Sequence, residues 1–129
     1  MATIRQFQDI DAWQKARELV QRIYAISGEG AFARDFALRD QIRRAAITIV
    51  SNIAEGFERE GTQEFIHFLS VAKGSAAEVE AQLYVAFDQA YLNQQTFEEL
   101  CQQVTSVKKL VAGFMRYLKE TDFRGGKFK

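Results

Sequence analysis

The chain has 129 residues, enough for one domain with a real core and too few for two. With 47% apolar residues and no proline, it is too hydrophobic for disorder and leans helical. Its 17 basic and 17 acidic residues cancel, which argues against a globally basic nucleic-acid binder and leaves room for a local basic patch.

The start, MATIRQFQDIDAW, has no apolar signal core, and no run approaches the roughly 20 apolar residues of a membrane span. Cys101 is the single cysteine, so no intrachain disulfide is available. These features predict a reduced, cytoplasmic protein without membrane attachment.

The first predicted helix runs from about Asp9 to Ser27. Trp13, Ala16, Val20 and Ile23 form its apolar stripe, widened by Leu19 and Ile26. Asp9 or Asp11 is the candidate cap at its start, and Gly28 the candidate left-handed cap at its end. The second helix is predicted over about 35–60. Ile42, Ala46, Ile49, Ile53 and Gly56 repeat at four and three, and Gly61 is the expected stop.

A third helix, about 62–92, starts at Thr62 as N-cap and carries a long seam. Phe65, Leu69, Ala72, Ala76, Val79, Leu83, Ala86 and Ala90 repeat at four and three without a break. The fourth, about 97–120, opens on a Thr96–Glu99 capping box. Its seam is Leu100, Val104, Val107, Val111, Phe114 and Leu118. Residues 122–129 close the chain as a basic tail. Four such helices with short links predict an all-α, antiparallel up-down-up-down four-helix bundle.

Antiparallel pairing puts Ala45 and Ala46 opposite Gly74, Ser75 and Ala76, small residues that let two helix axes approach. It also brings Arg43 or Arg44 level with Glu78. Residues 55–99 hold two basic and nine acidic residues, whereas 105–129 hold seven basic and two acidic. The pairing puts the basic tail beside Glu55, Glu58, Glu60 and Glu64, and the arginines of 34–44 beside Asp88, Glu98 and Glu99. Each end then balances its own charge. Phe68, Val71, Tyr84, Val85, Phe87, Tyr91 and Met115 fall outside the seams, a surplus that points to an oligomer interface.

Catalysis finds no constellation. Glu64 and His67 have the Glu-x-x-His spacing of di-iron bundles, but such sites need two pairs and the chain has one histidine. Ser70 and Lys73 match Ser-x-x-Lys without its companion motifs, and AKGS lacks the glycine-rich loop of a phosphate site. Cys101 has no neighbouring histidine. Glu55 and Glu58 suggest acid–base chemistry, yet Glu55 and Arg59 are an ordinary i,i+4 helix pair. Asn52 is expected to be a buried amide bonded across the bundle, with Gly56 permitting close approach. No cofactor or metal is expected. Arg34, Arg39, Arg43, Arg44 and the tail residues Arg124, Lys127 and Lys129 are the candidate contacts for a nucleic acid or other partner.

FQDIDAWQKARELVQRIY (7–24), QIRRAAITIVSNIAEGFER (41–59) and FIHFLSVAKGSAAEVEAQL (65–83) closely resemble the proteins encoded in intervening sequences of bacterial 23S ribosomal RNA genes. SNIAEG and AKGSAAEVE are the most specific parts. Among the matching positions are Asn52, Glu55, Gly56, Lys73, Gly74, Ser75 and Glu78. Val50 stands where the family pattern usually has proline. The resemblance implies a non-enzymatic, cytoplasmic bundle that assembles as a homo-oligomer, typically a ring of five. It also implies kinship with accessory proteins of diversity-generating retroelements, which bind a reverse transcriptase and its nucleic acid. The expected function is therefore an oligomeric scaffold or adaptor for a protein or ribonucleoprotein partner. The alternatives are a purely structural homo-oligomer and a metal-dependent enzyme.

Overall fold

The computed structural model describes residues 4–123. A 3-10 turn, Phe7–Asp9, leads into α1, Asp11–Ser27. Then come a short α2, Gly30–Arg34, and three long helices: α3, Phe36–Glu58; α4, Thr62–Asp88; and α5, Gln94–Phe123. α3 packs on α4, α4 on α5, and α1 on both α3 and α5. The fold is all-α, an antiparallel up-down-up-down four-helix bundle.

The seams explain the packing. Ile42, Ala46, Ile49, Ile53 and Gly56 of α3 are all buried, as are Phe65 through Ala86 of the α4 seam, whereas Ala90, expected at the seam's end, is exposed beyond the end of α4. Leu100, Val104, Val107, Val111 and Leu118 of α5 join them, with Phe114 half-buried. Each large side chain taken from water contributes about 1.5–3 kcal/mol against the entropy of ordering the chain. In α1 the expected Ala16, Leu19 and Ile23 are buried, but the stripe's centre is shifted toward Ala12 and Ser27. Ala12, Ala16, Leu19, Ile23 and Ser27 face the core, while Trp13 and Val20 sit at its border. Trp13 instead packs edge-on against Phe7 of the preceding turn, centroids 5.1 Å apart, under the guanidinium of Arg17.

The helix ends differ from the sequence reading because the chain turns at slightly different residues. Ile10, not an aspartate, holds the N-cap position of α1. The Asp9 carboxylate accepts from the backbone N–H groups of Arg5 and Gln6 and closes the 3-10 turn. Gly28 ends α1 at φ −96°, outside the left-handed region. Among the described residues the left-handed glycine is Gly30, φ 57°, which starts α2. α3 stops at Glu58, so Gly61 does not end it but is the N-cap of α4. Thr62 is already helical and buried. Asn93 caps α5 by accepting from Thr96 N–H at 2.7 Å, which makes Thr96 a first-turn residue rather than a cap.

α2 and the turn after α4 close one end of the bundle. Phe32 is fully buried and stacks on Tyr91 at 5.2 Å. The Tyr91 hydroxyl donates to Asp35 Oδ2 at 2.9 Å, while Asp35 Oδ1 accepts from Leu38 N–H and caps α3. That bond, with some burial and the Asp35 charge, holds the Tyr91 phenol above its usual range. Ala90 carries the one left-handed backbone among the described non-glycine residues, φ 63°. There Tyr91 N–H bonds Ala86 O and Ala90 N–H bonds Phe87 O, the paired bonds of a helix end that favours glycine. Ala90→Gly is expected to raise unfolding stability by about 0.5–1 kcal/mol, read from the urea midpoint.

Candidate partner interface

α4 presents two different faces. Its inner face fills the core, and its outer face reads His67, Ser70, Val71, Gly74, Ala77, Ala81, Val85, all exposed. Val71 and Val85 are 39% and 46% exposed. A Cβ placed on Gly74 would meet nothing within 4 Å. Within one chain, then, Gly74 is not the close-packing residue expected opposite Ala45 and Ala46. Those alanines are buried, as are Ser75 and Ala76. Lys73 and Glu78 flank the outer stripe, both exposed. Among the described residues neither they nor Arg44 enter an ion pair, so the expected approach of Arg43 or Arg44 to Glu78 does not produce one.

Part of the apolar surplus is explained internally. Phe87 stacks on Phe97 at 4.5 Å, Tyr91 on Phe32, and Phe68 lies under the Arg59 guanidinium at 4.9 Å. Met115 packs against the core. Val71, Tyr84 and Val85 stay exposed, although one edge of Tyr84 meets Phe97.

The family-motif residues at the end of α3 serve the helix turn. Glu55 pairs with Arg59 at 3.0 Å, and the same arginine reaches Glu64 of α4 at 3.8 Å. Exposed pairs of this kind contribute at most about 1 kcal/mol. Asn52 is half-buried and donates to Thr48 O of its own helix at 2.8 Å, so it is not bonded across the bundle. Gly56 is buried, and a Cβ there would lie 2.7 Å from Phe65 Cδ1 and 2.9 Å from Phe68 Cβ.

The predicted arginines gather where α1, α2 and α3 meet. Arg43 Nε donates to Ser27 Oγ at 2.8 Å and Arg43 Nη2 to Tyr24 O at 3.3 Å. Its guanidinium lies 4.4 Å over the Tyr24 ring. Arg39 donates to Ala33 O and Asp40 Oδ1, and lies 4.8 Å over Phe36. Both therefore neutralise carbonyl-rich helix ends, where a cation is favoured. Arg34 and Arg44 are exposed. A hollow of about 340 Å³ between α1 and α3 is lined by Tyr24, Asp40, Arg43, Arg44, Ile47 and Thr48. Tyr24 and Phe36 are 42% and 62% exposed. Sequence reasoning named these arginines and missed their aromatic partners. Phe36 and Arg39 stand three apart, a readable helix pair, whereas Tyr24 and Arg43 meet only once α1 and α3 are packed. Arg124, Lys127 and Lys129 lie outside the described residues.

Elsewhere, polar contacts are structural. Arg22 donates to Glu99 at 2.6 Å, and this bond, followed by one from Gln95, holds the Glu99 carboxyl below its usual range. Lys108 and Glu80 pair at 2.7 Å between α5 and α4. Cys101 is half-buried nearby; burial first, then the Glu80 charge, pushes its thiol up, the reverse of an activated nucleophile. His67 is exposed and meets Phe68 edge-on. Among the described residues no group of three or more His, Cys, Asp or Glu is placed to hold a metal ion. No helix among them is long and apolar enough to cross a membrane.

Comparison with known proteins matches this architecture. A crystal structure of a protein of unknown function from the S23 ribosomal protein family of Bacteroides thetaiotaomicron superposes with a TM-score of 0.73. It is 24% identical in sequence, and the match covers 81% of this chain and 97% of that one. No curated protein matches the chain. The family model for the 23S rRNA-intervening sequence protein matches residues 8–113, which include the SNIAEG and AKGSAAEVE segments. The chain belongs to the 23S rRNA-intervening sequence protein family.

Proposed function

We propose that the chain is a non-enzymatic, self-associating scaffold or adaptor for a ribonucleoprotein partner, of the kind formed by a reverse transcriptase with its RNA. The outer face of α4 carries this reading. Between Ser70 and Val85 it exposes small and apolar side chains on a bundle whose core is already complete. A second copy is the occupant proposed, because Lys73 and Glu78 border the stripe with opposite charges and bond nothing described in their own chain. Small residues such as Gly74, Ala77 and Ala81 let another helix come close. A head-to-tail contact of this kind closes into a ring, five copies being the proposed number. The sequence's zero net charge favours one alternative, a structural assembly that binds no nucleic acid.

The covered face is testable by thiol labelling. In a Cys101→Ser background, Ala81→Cys should label slowly in concentrated protein and quickly on dilution. Fast labelling at every concentration would show a bare face and defeat the reading.

A further inference from the structure

We infer that the corner formed by Tyr24, Phe36 and the arginines of α2 and α3 is a stacking site for single-stranded nucleic acid. The inference rests on the adaptor reading and names the chemistry of its partner. Two aromatic rings, both substantially exposed, each lie against a guanidinium that α1 or α2 holds in place. The guanidiniums of Arg39 and Arg43 each cover one ring face. The exposure that remains offers a π-surface, and every base has a matching one.

The spacing suits a strand. Phe36, Asp40, Arg43 and Ile47 repeat at four, three and four, so they share one stripe of α3 beside α1. Phe36 and the Arg43–Tyr24 stack are separated by up to seven residues along α3, about 10 Å at 1.5 Å per residue. That is about three base steps of 3.4 Å. Arg44 lines the hollow and Arg34 ends α2, both exposed and neither in an ion pair among the described residues. They are placed to meet phosphates on either side of the stacked bases. Asp40 is already paired with Arg39, which removes much of its repulsion for a strand. An acidic peptide would use the arginines and leave both rings wet, so the aromatic pair favours nucleic acid.

The test is fluorescence anisotropy of a labelled oligouridylate with the full chain, from low to moderate salt. Binding is expected. Tyr24→Ala and Phe36→Ala should each weaken it about tenfold, and Tyr24→Phe should restore it. Arg44→Gln should reduce the salt slope by about 0.7. Helix content and assembly mass, measured on the same samples, should be unchanged. No binding at low salt overturns the inference. So does binding that ignores both aromatic substitutions, or that a polyglutamate peptide competes away equally well with and without Tyr24. An intact assembly that fails to bind sinks this inference alone, whereas a monomer that binds sinks the self-association reading alone.

Discussion

Gly56→Leu is expected to destabilise the chain by about 3 kcal/mol or more, and Gly56→Ala by about 1–2 kcal/mol. Alanine gains about 1 kcal/mol of helix propensity over glycine, so on an exposed helix the smaller change would stabilise. Here the new methyl meets Phe65 Cδ1 at 2.7 Å and Phe68 Cβ at 2.9 Å. Neither yields cheaply. The Phe65 ring is fully buried and meets Phe57 and Phe114 edge-on, and a Cβ moves only with the α4 backbone. The ends of α3 and α4 must therefore separate. Urea midpoints measure the loss, and a cycle with Phe65→Leu should recover part of it by making room. A Gly56→Ala protein more stable than the parent would contradict the packing account.

Gly74→Arg is expected to do the opposite to the fold and far more to the assembly. The site is open, with nothing within 4 Å of a Cβ, so one chain accepts the side chain and gains about 0.7–1 kcal/mol in helix propensity. In a covered face the same guanidinium must be desolvated and fills the room a second helix needs, with only Glu78, one turn away, to meet it, a penalty of about 3–5 kcal/mol per contact. That lowers association about 150-fold or more at each interface. The expected outcome is a folded protein of monomeric mass whose urea midpoint keeps the helix-propensity gain but loses what association contributes to the parent. An unchanged assembly would mean that copies do not meet at Gly74.

These two glycines show what sequence periodicity conveys and what it leaves out. Gly56 falls on the α3 seam, so its burial was readable from the four-three spacing. Gly74 lies one residue from the buried Ser75 but on the opposite side of that border, and pairing by residue number does not resolve a rotation of this size. The seams of α3, α4 and α5 were legible because each repeats over several turns. The α1 stripe was legible at Ala16, Leu19 and Ile23 but not at its edge, where Ala12 is buried and Trp13 packs against Phe7, in a turn that carries no periodic signal. α2 went unread for a similar reason, since five residues span barely more than one turn. The arginines of the candidate corner were legible as charges. Arg43's role as a support for Tyr24 depends on the α1–α3 packing, whereas Arg39 and Phe36 meet within α3. Asn52 looked suited to a cross-bundle bond, but its amide found Thr48 O one turn back.

Sedimentation velocity on the unmodified chain at micromolar concentration tests the central claim most directly. The scaffold account expects a discrete species several-fold heavier than the 14.7 kDa chain, a ring of five in its proposed form. A single species of 14.7 kDa over the whole concentration range would contradict it.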